Sequence, residues 1–299
     1  MIEFSQKQFL ANPAEMAWES AHGIAFHRSL GSSRSPSSST FKKYITAETV
    51  EDFAKVAYAK SNIAIVANGT EYSELQRWVG QMFTNVPASA PSGSAQLESE
   101  QAKYYGGEER IAHGSGNSMV IAFPGSSSYT GGFYKPEIAV LASLLGGKST
   151  IKWSPGFSLL SKAFSDVGAL QADTKSAIYS DAGLLTITLT GSAKNVGNAA
   201  FKAVETLQKI AGGDIASEDI KKAVAKAKFQ ELEHGQNIWG SLELTGAGLV
   251  HGGKPYQLDE TAKKIESVTE DQVKKVSTHI PLPFETTMLT LSTRPPHNY

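Results

Sequence analysis

The chain has 299 residues, 40% of them hydrophobic, enough to bury one large core or two modest ones, and two domains are the better expectation. Its 28 basic and 29 acidic residues leave a formal charge of -1, which offers no surface for nucleic acid. There is no cysteine, which excludes disulfides, thiolate metal sites and a thiol nucleophile, and the longest apolar stretch, Ile138 to Leu145, falls far short of the roughly 20 residues a membrane span needs.

The first residues, Met1-Ile2-Glu3-Phe4, are followed by no long apolar block and no arginine before Arg28. They read as neither a signal nor a transit peptide, so the expectation is a cytosolic chain or one whose targeting segment lies outside it. Residues 13–28 read as a helix with Pro13 in its first turn and a stripe of Met16, Trp18, Ile24 and Phe26. Gly31 to Ser39 is a loop by composition. Thr46 then caps a helix with buried positions Val50, Phe53, Val56 and Ala57, and Asn62 to Gly69 has the pattern of a buried strand ending in a turn. A second helix presents Leu75, Trp78, Val79, Met82 and Phe83.

The Pro, Ser and Gly content of residues 87–102 marks a linker, which divides the chain into 1–86 and 103–299. Strands are expected at Tyr104 to Arg110 and Ser118 to Phe123, a helix at 134–146, and strands at Ala169 to Tyr179 and Gly183 to Thr190. A helix at 194–211 carries Val196, Ala199, Ala200, Ala203, Val204, Leu207 and Ile210. Ser217 is placed as the cap of a long helix with Ile220, Val224, Ala227 and Phe229 on its face, which continues to Leu249 with a kink near Gly235. Thr269, Val273 and Val276 repeat the spacing of Thr46, Val50 and Phe53, and each set precedes a strand candidate, Asn62 to Ala67 and Thr286 to Leu291. The repetition implies an internal duplication of an α+β unit.

The order Tyr104-Tyr105-Gly106-Gly107-Glu108-Glu109-Arg110, strand, helix, Leu144-Leu145-Gly146-Gly147 resembles the start of the second domain in the pitrilysin/insulinase metallopeptidase superfamily. Ile45-Thr46-Ala47-Glu48 and the following strand pattern resemble the end of the first domain, so the likeness covers nearly the whole chain. It implies an α+β fold of two homologous pitrilysin-like (LuxS/metallohydrolase-like) domains, each a mixed or antiparallel sheet packed with helices, enclosing a chamber. Residues 1–86 correspond to the C-terminal part of the first domain, which is therefore truncated, 87–102 to the linker and 103–299 to the second domain. The tail Pro281 to Tyr299 departs from the family in lacking a Gly-Asp turn.

Active members of that superfamily bind zinc through an inverted His-x-x-Glu-His helix and a downstream glutamate. No such motif occurs here, and Glu15, at the place of the third ligand, cannot hold catalytic zinc alone. The arginine and tyrosine with which active members polarise the substrate carbonyl align with Ala163 and Leu170. A shift of register cannot restore them, since no arginine lies between Arg110 and Arg294 and no tyrosine between Tyr134 and Tyr179. Ala142 to Ser149 approaches a phosphate-binding loop, but Ala142 replaces its first glycine and the segment follows a helix, so a simple turn is expected. His22 and His27 are five apart and read as packing or surface residues, Glu231-Leu232-Glu233-His234 as a solvated face, and Asn68-Gly69-Thr70 as a strand-ending turn.

Within the superfamily, Ala21 to Phe26, Ala177 to Leu184 and above all the turn Lys148-Ser149-Thr150-Ile151-Lys152-Trp153 resemble the branch of non-catalytic core subunits of mitochondrial respiratory complex III. That likeness implies no enzymatic activity, no catalytic, metal or cofactor-binding residue and no cofactor. It also implies a peripheral place on the matrix side of the inner membrane, with a core protein 1 homologue and other complex III subunits as partners in a dimeric complex. The alternatives are the non-catalytic substrate-binding subunit of mitochondrial processing peptidase, or an active zinc endopeptidase whose motif lies in a missing N-terminal segment.

Overall fold

The computed structural model describes residues 2–35, 37–91, 101–128, 130, 133–149, 154, 156–278 and 287–292. Helix α1 (Ile2–Ala11) ends at Asn12, whose side-chain oxygen accepts hydrogen bonds from the N–H groups of Ala14 (3.1 Å) and Glu15 (3.4 Å) and so caps α2 (Pro13–Phe26). Of the expected stripe Phe26 is buried and Met16 and Ile24 pack partly buried against the same core, but the fully covered positions of α2 are Ala17, Ala21 and Ala25, with His22 beside them. Small residues four apart let the helix lie directly on a sheet. The expected loop is shorter than its composition suggests: a 3-10 turn covers Ser29–Gly31, and Ser37 caps α3 (Ser38–Tyr44).

Helix α4 (Ala47–Ala57) starts where expected, with Thr46 Oγ1 accepting from the Thr49 N–H (3.2 Å) and Thr49 Oγ1 from the Thr46 N–H (2.9 Å). Its expected face is buried only at its end: Val56 is covered and Ala57 partly so, whereas Val50 and Phe53 are 54% and 56% exposed. Residues 62–69, read as a buried strand, form no strand, and Ile65 is exposed. In α5 (Tyr72–Met82) and just after it, Trp78 and Met82 of the expected apolar face are exposed, while Leu75, Val79 and Phe83 are partly buried. An extended segment becomes a strand only when a neighbour takes up its backbone groups, and no strand among the described residues does so for residues 62–69.

The second part supplies such neighbours. The strand expected from Tyr104 begins at β1 (Glu108–Ala112), because Gly106 (φ 74°) and Gly107 (φ 146°) bend the chain first. A Cβ on Gly107 would lie 2.8 Å from the Ile24 side chain. After β2 (Asn117–Pro124), Pro136 opens α6 (Pro136–Leu145), and Ser158 caps the short α7 (Leu159–Ala163), which the sequence pattern did not suggest. Strands β3 (Leu170–Ile178) and β4 (Gly183–Gly191) form a hairpin closed by the Tyr179 N–H to Ala182 C=O bond (2.9 Å). Helices α8 (Ala193–Ala211) and α9 (Ser217–Gln236) follow. Ser217 is the first residue of α9 and not its cap, since its hydroxyl donates to Glu270 (2.6 Å). The expected kink is a break, at Asn237, after which α10 (Ile238–Gly252) begins with the Asn237 side chain accepting from the Trp239 N–H. Helices α11 (Leu258–Glu266) and α12 (Glu270–Thr278) and strand β5 (Thr287–Ser292) complete the described chain.

The five strands form one mixed sheet in the order β1-β5-β2-β4-β3, with β1 and β5 parallel and the other pairs antiparallel. Alternation along β2 and β4 serves two cores. Met119, Ile121, Phe123, Leu185, Ile187 and Leu189 face the layer of α6, α8, α9, α11 and α12, where Leu141, Leu145, Phe164 and Ile265 are fully buried. Val120, Ala122 and Leu184 face α2 on the other side. A helix from the first part of the chain thus completes the sheet of the second.

Candidate functional site

Three positions stand where the resemblance puts the zinc and carbonyl-binding residues of active peptidases. Glu15 is exposed in the first turn of α2, Ala163 ends α7, and Leu170 is 8% exposed in the main core. Among the described residues no group of three or more His, Cys, Asp or Glu is placed to hold a metal ion.

A cleft of about 840 Å³ lies where the edge strand β3 meets α6, α9 and the 146–149 turn. Its volume lies within the range of ligand sites. Several of its charged groups have partners. Lys148, the lysine of the near phosphate loop, donates from Nζ to the carbonyls of Val167 (2.7 Å) and Gly168 (2.5 Å), and its N–H donates to Ala172 (3.0 Å). The turn therefore ties α6 to the sheet edge, and the ammonium is spent on that tie. Lys162 pairs with Asp219 (3.2 Å) and Lys222 with Glu218 (2.7 Å). Glu231, expected on a solvated face, is instead partly buried, which raises its carboxyl pKa above its ordinary value, and the Tyr256 hydroxyl donates to it. Glu233 and His234 beside it are exposed as expected.

A second cluster joins the two parts of the chain. His22, 5% exposed, places Nδ1 2.8 Å from the Trp18 carbonyl and Nε2 2.7 Å from the Tyr179 hydroxyl at the end of β3. Because a carbonyl only accepts, Nδ1 carries the proton and Nε2 accepts from Tyr179. Trp18 packs on the His22 ring at 3.9 Å between centroids, and the Arg34 guanidinium lies 5.0 Å from the centre of the Trp18 ring. Burial holds the His22 pKa below its ordinary value. His22 is thus a packed histidine, the bland reading of the sequence, and its partner Tyr179 could not be paired with it from the sequence because 157 residues separate them.

The family model described as Peptidase M16 inactive domain matches residues 44–227, more than half of the chain. The chain belongs to this family. Membership in an inactive peptidase domain family agrees with the loss of the arginine and tyrosine at Ala163 and Leu170, and bears out the non-catalytic reading of the domain. Among curated proteins, this M16 chain is 44% identical over 276 residues to the cytochrome b-c1 complex subunit 2, mitochondrial, of Neurospora crassa, covering 90% of the chain and 58% of that protein. It is 33% identical over 293 residues to the protein of the same name in Yarrowia lipolytica, covering 92% and 65%. The mitochondrial-processing peptidase subunit alpha-2 of Dictyostelium discoideum is more distant, at 27% identity over 240 residues, 78% of the chain and 52% of that protein. The chain therefore spans 58% to 65% of the length of its first two relatives. A chain in the structure titled "Complex III2 from Candida albicans, Inz-5 bound" shares the fold, with a TM-score of 0.78 at 15% identity over 97% of this chain and 69% of that one.

Proposed function

We propose that this M16 chain is a non-catalytic structural subunit of the mitochondrial cytochrome b-c1 complex, corresponding to its subunit 2. The observation that carries the reading is the 44% identity over 276 residues to the Neurospora crassa subunit, well above the 27% to the processing-peptidase subunit. The match to an inactive peptidase domain favours a scaffold over an enzyme. No described helix is long and apolar enough to cross a membrane, so attachment on the matrix side of the inner membrane would run through other complex III subunits, a core protein 1 homologue first among them, in a dimeric complex.

The same reading divides the chain into the C-terminal part of a first peptidase-like domain (1–86), a linker (87–102) and a second domain (103–299). Exposed Val50, Phe53, Ile65, Trp78 and Met82 support it, because that apolar set fits against a sheet which the rest of a first domain would supply. On this division α2 of the first domain would pack on the sheet of the second, in keeping with the contact of Ala17, Ala21 and Ala25 with Val120 and Ala122. The test is native electrophoresis of detergent-solubilised mitochondria probed for this chain. Co-migration with a large complex containing cytochrome b is expected. A soluble monomer would overturn the assignment, and co-purification with a presequence-cleaving activity would replace it with the processing-peptidase reading.

A further inference from the structure

The turn at Asn68-Gly69 has a chemistry that the scaffold role does not use. Of the chain's asparagines only Asn68 precedes a glycine. Gly69 has φ 82°, and a Cβ built on it would meet nothing within 4 Å. Both residues are exposed, and no hydrogen bond engages the Gly69 N–H or the Asn68 amide among the described residues. The other described asparagines are held or hindered. Asn12 caps α2 and precedes Pro13, which has no N–H. Asn62 donates to the Val56 carbonyl (3.0 Å) and precedes the β-branched Ile63. Asn117 donates to Gly191, and Asn195 donates to Ala169 at the start of α8. Asn198 lies inside α8, where its successor's N–H belongs to the helix ladder, Asn85 precedes the β-branched Val86, and Asn237 is engaged as the α10 cap.

We infer that Asn68 is a site of spontaneous deamidation, through a succinimide formed with the backbone nitrogen of Gly69. Hydroxide removes the Gly69 N–H proton, and the nitrogen attacks the Asn68 side-chain carbonyl carbon. The bond from that carbon to Nδ2 breaks and ammonia leaves, closing a five-membered imide. Water then opens the imide at one of its two carbonyls. Attack at the side-chain carbonyl restores the original backbone with aspartate, and attack at the main-chain carbonyl leaves isoaspartate, with the backbone rerouted through the side chain. Either product adds a negative charge, and isoaspartate also lengthens the backbone by one methylene between residues 62–67 and α5. No enzyme or oxidant is required, and the only co-reactant is water.

Purified full-length chain would be incubated in buffers of rising pH, labelled with protein isoaspartyl methyltransferase and a radioactive methyl donor, and digested with trypsin. Residues 61–77 form one tryptic peptide, which holds Asn62 as an internal control. Conversion at Asn68 is expected to be at least about tenfold faster than at Asn62, a barrier difference of about 1.4 kcal/mol, and to rise with hydroxide concentration. N68Q should abolish the label in this peptide without altering the circular dichroism spectrum, and G69A should slow it. First conversion at any other asparagine, a rate at Asn68 equal to that at Asn62, or label that survives N68Q would each overturn the assignment.

Discussion

Two copies of one local pattern meet opposite fates in this molecule. Thr46 and Thr269 each begin a reciprocal cap, Thr46 with Thr49 and Thr269 with Gln272, whose N–H donates to Thr269 Oγ1 (3.4 Å) while its Oε1 accepts from the Thr269 N–H (2.8 Å). The helices that follow, α4 and α12, place apolar side chains four and seven residues after the threonine. In the later copy Val273 is fully buried and the chain goes on to β5, which sits between β1 and β2. In the earlier copy Val50 and Phe53 face outward, and residues 62–67 remain without a ladder. A cap is satisfied by four consecutive residues, whereas burial and strand formation need partners distant in the chain. The difference between the copies is one of supply, not of pattern.

The largest expected effect breaks this comparison at its apolar positions. Val273→Asp places a carboxylate in a fully closed core and should cost about 3 to 5 kcal/mol, a large part of the roughly 5 to 15 kcal/mol by which folded domains are stable. Val50→Asp, at the equivalent place, should stay within about 0.5 kcal/mol. Urea unfolding followed by circular dichroism compares the two directly, and equal losses would mean that the earlier copy is covered in solution. A related experiment sharpens the same point. The double substitution Phe53→Ser and Trp78→Ser should lower binding of the dye ANS and raise solubility with little change in unfolding midpoint, because both side chains are exposed.

At the caps the copies should behave alike. Thr46→Ala and Thr269→Ala each remove a side-chain acceptor for a helical N–H, and each should cost about 1 kcal/mol in the same denaturation assay. A loss at Thr269 several times that at Thr46 would show that the cap is coupled to core packing and is not local.

The same division explains what could be read from the residues. The periodicity of Val196, Ala199, Ala203, Leu207 and Ile210 located α8 and its buried face, and alternation located β2, β3 and β4, because those elements bury the pattern they carry. The α+β fold with mixed or antiparallel sheet was implied by the family resemblance, and the sheet observed is mixed. Residues 62–69 carry as good a strand pattern, but the pattern records what the segment can bury and not whether a partner is present. Ser217 misled for a similar reason: its hydroxyl has a better acceptor in Glu270, 53 residues away, than the N–H groups of its own helix. At the candidate site, the missing arginine and tyrosine were legible as absences at fixed places in the chain. The burial of Glu231 under Tyr256 and the pairing of His22 with Tyr179 were not, since each joins elements whose contact is decided only by the whole fold.

The smallest expected effect concerns the joint that holds α2 to the second sheet. Burial is the dominant influence on His22 and disfavours its imidazolium, the Trp18 carbonyl and Glu19 favour it, and Arg34 opposes it. The folded pKa therefore lies below that of the unfolded chain. Above the unfolded pKa of about 6.5 both states hold the ring neutral and stability is independent of this group. As pH falls below that value the unfolded chain takes up a proton that the folded chain resists, and stability declines until pH passes the folded pKa. Protonation also puts a hydrogen on Nε2, which then no longer accepts from the Tyr179 hydroxyl. His22→Gln should flatten this part of the pH profile at some cost in stability at neutral pH. Urea midpoints of the two proteins measured from pH 7.5 to pH 5.5 would show the difference as converging curves, whereas parallel curves would mean that His22 titrates as freely in the folded chain as in the unfolded one.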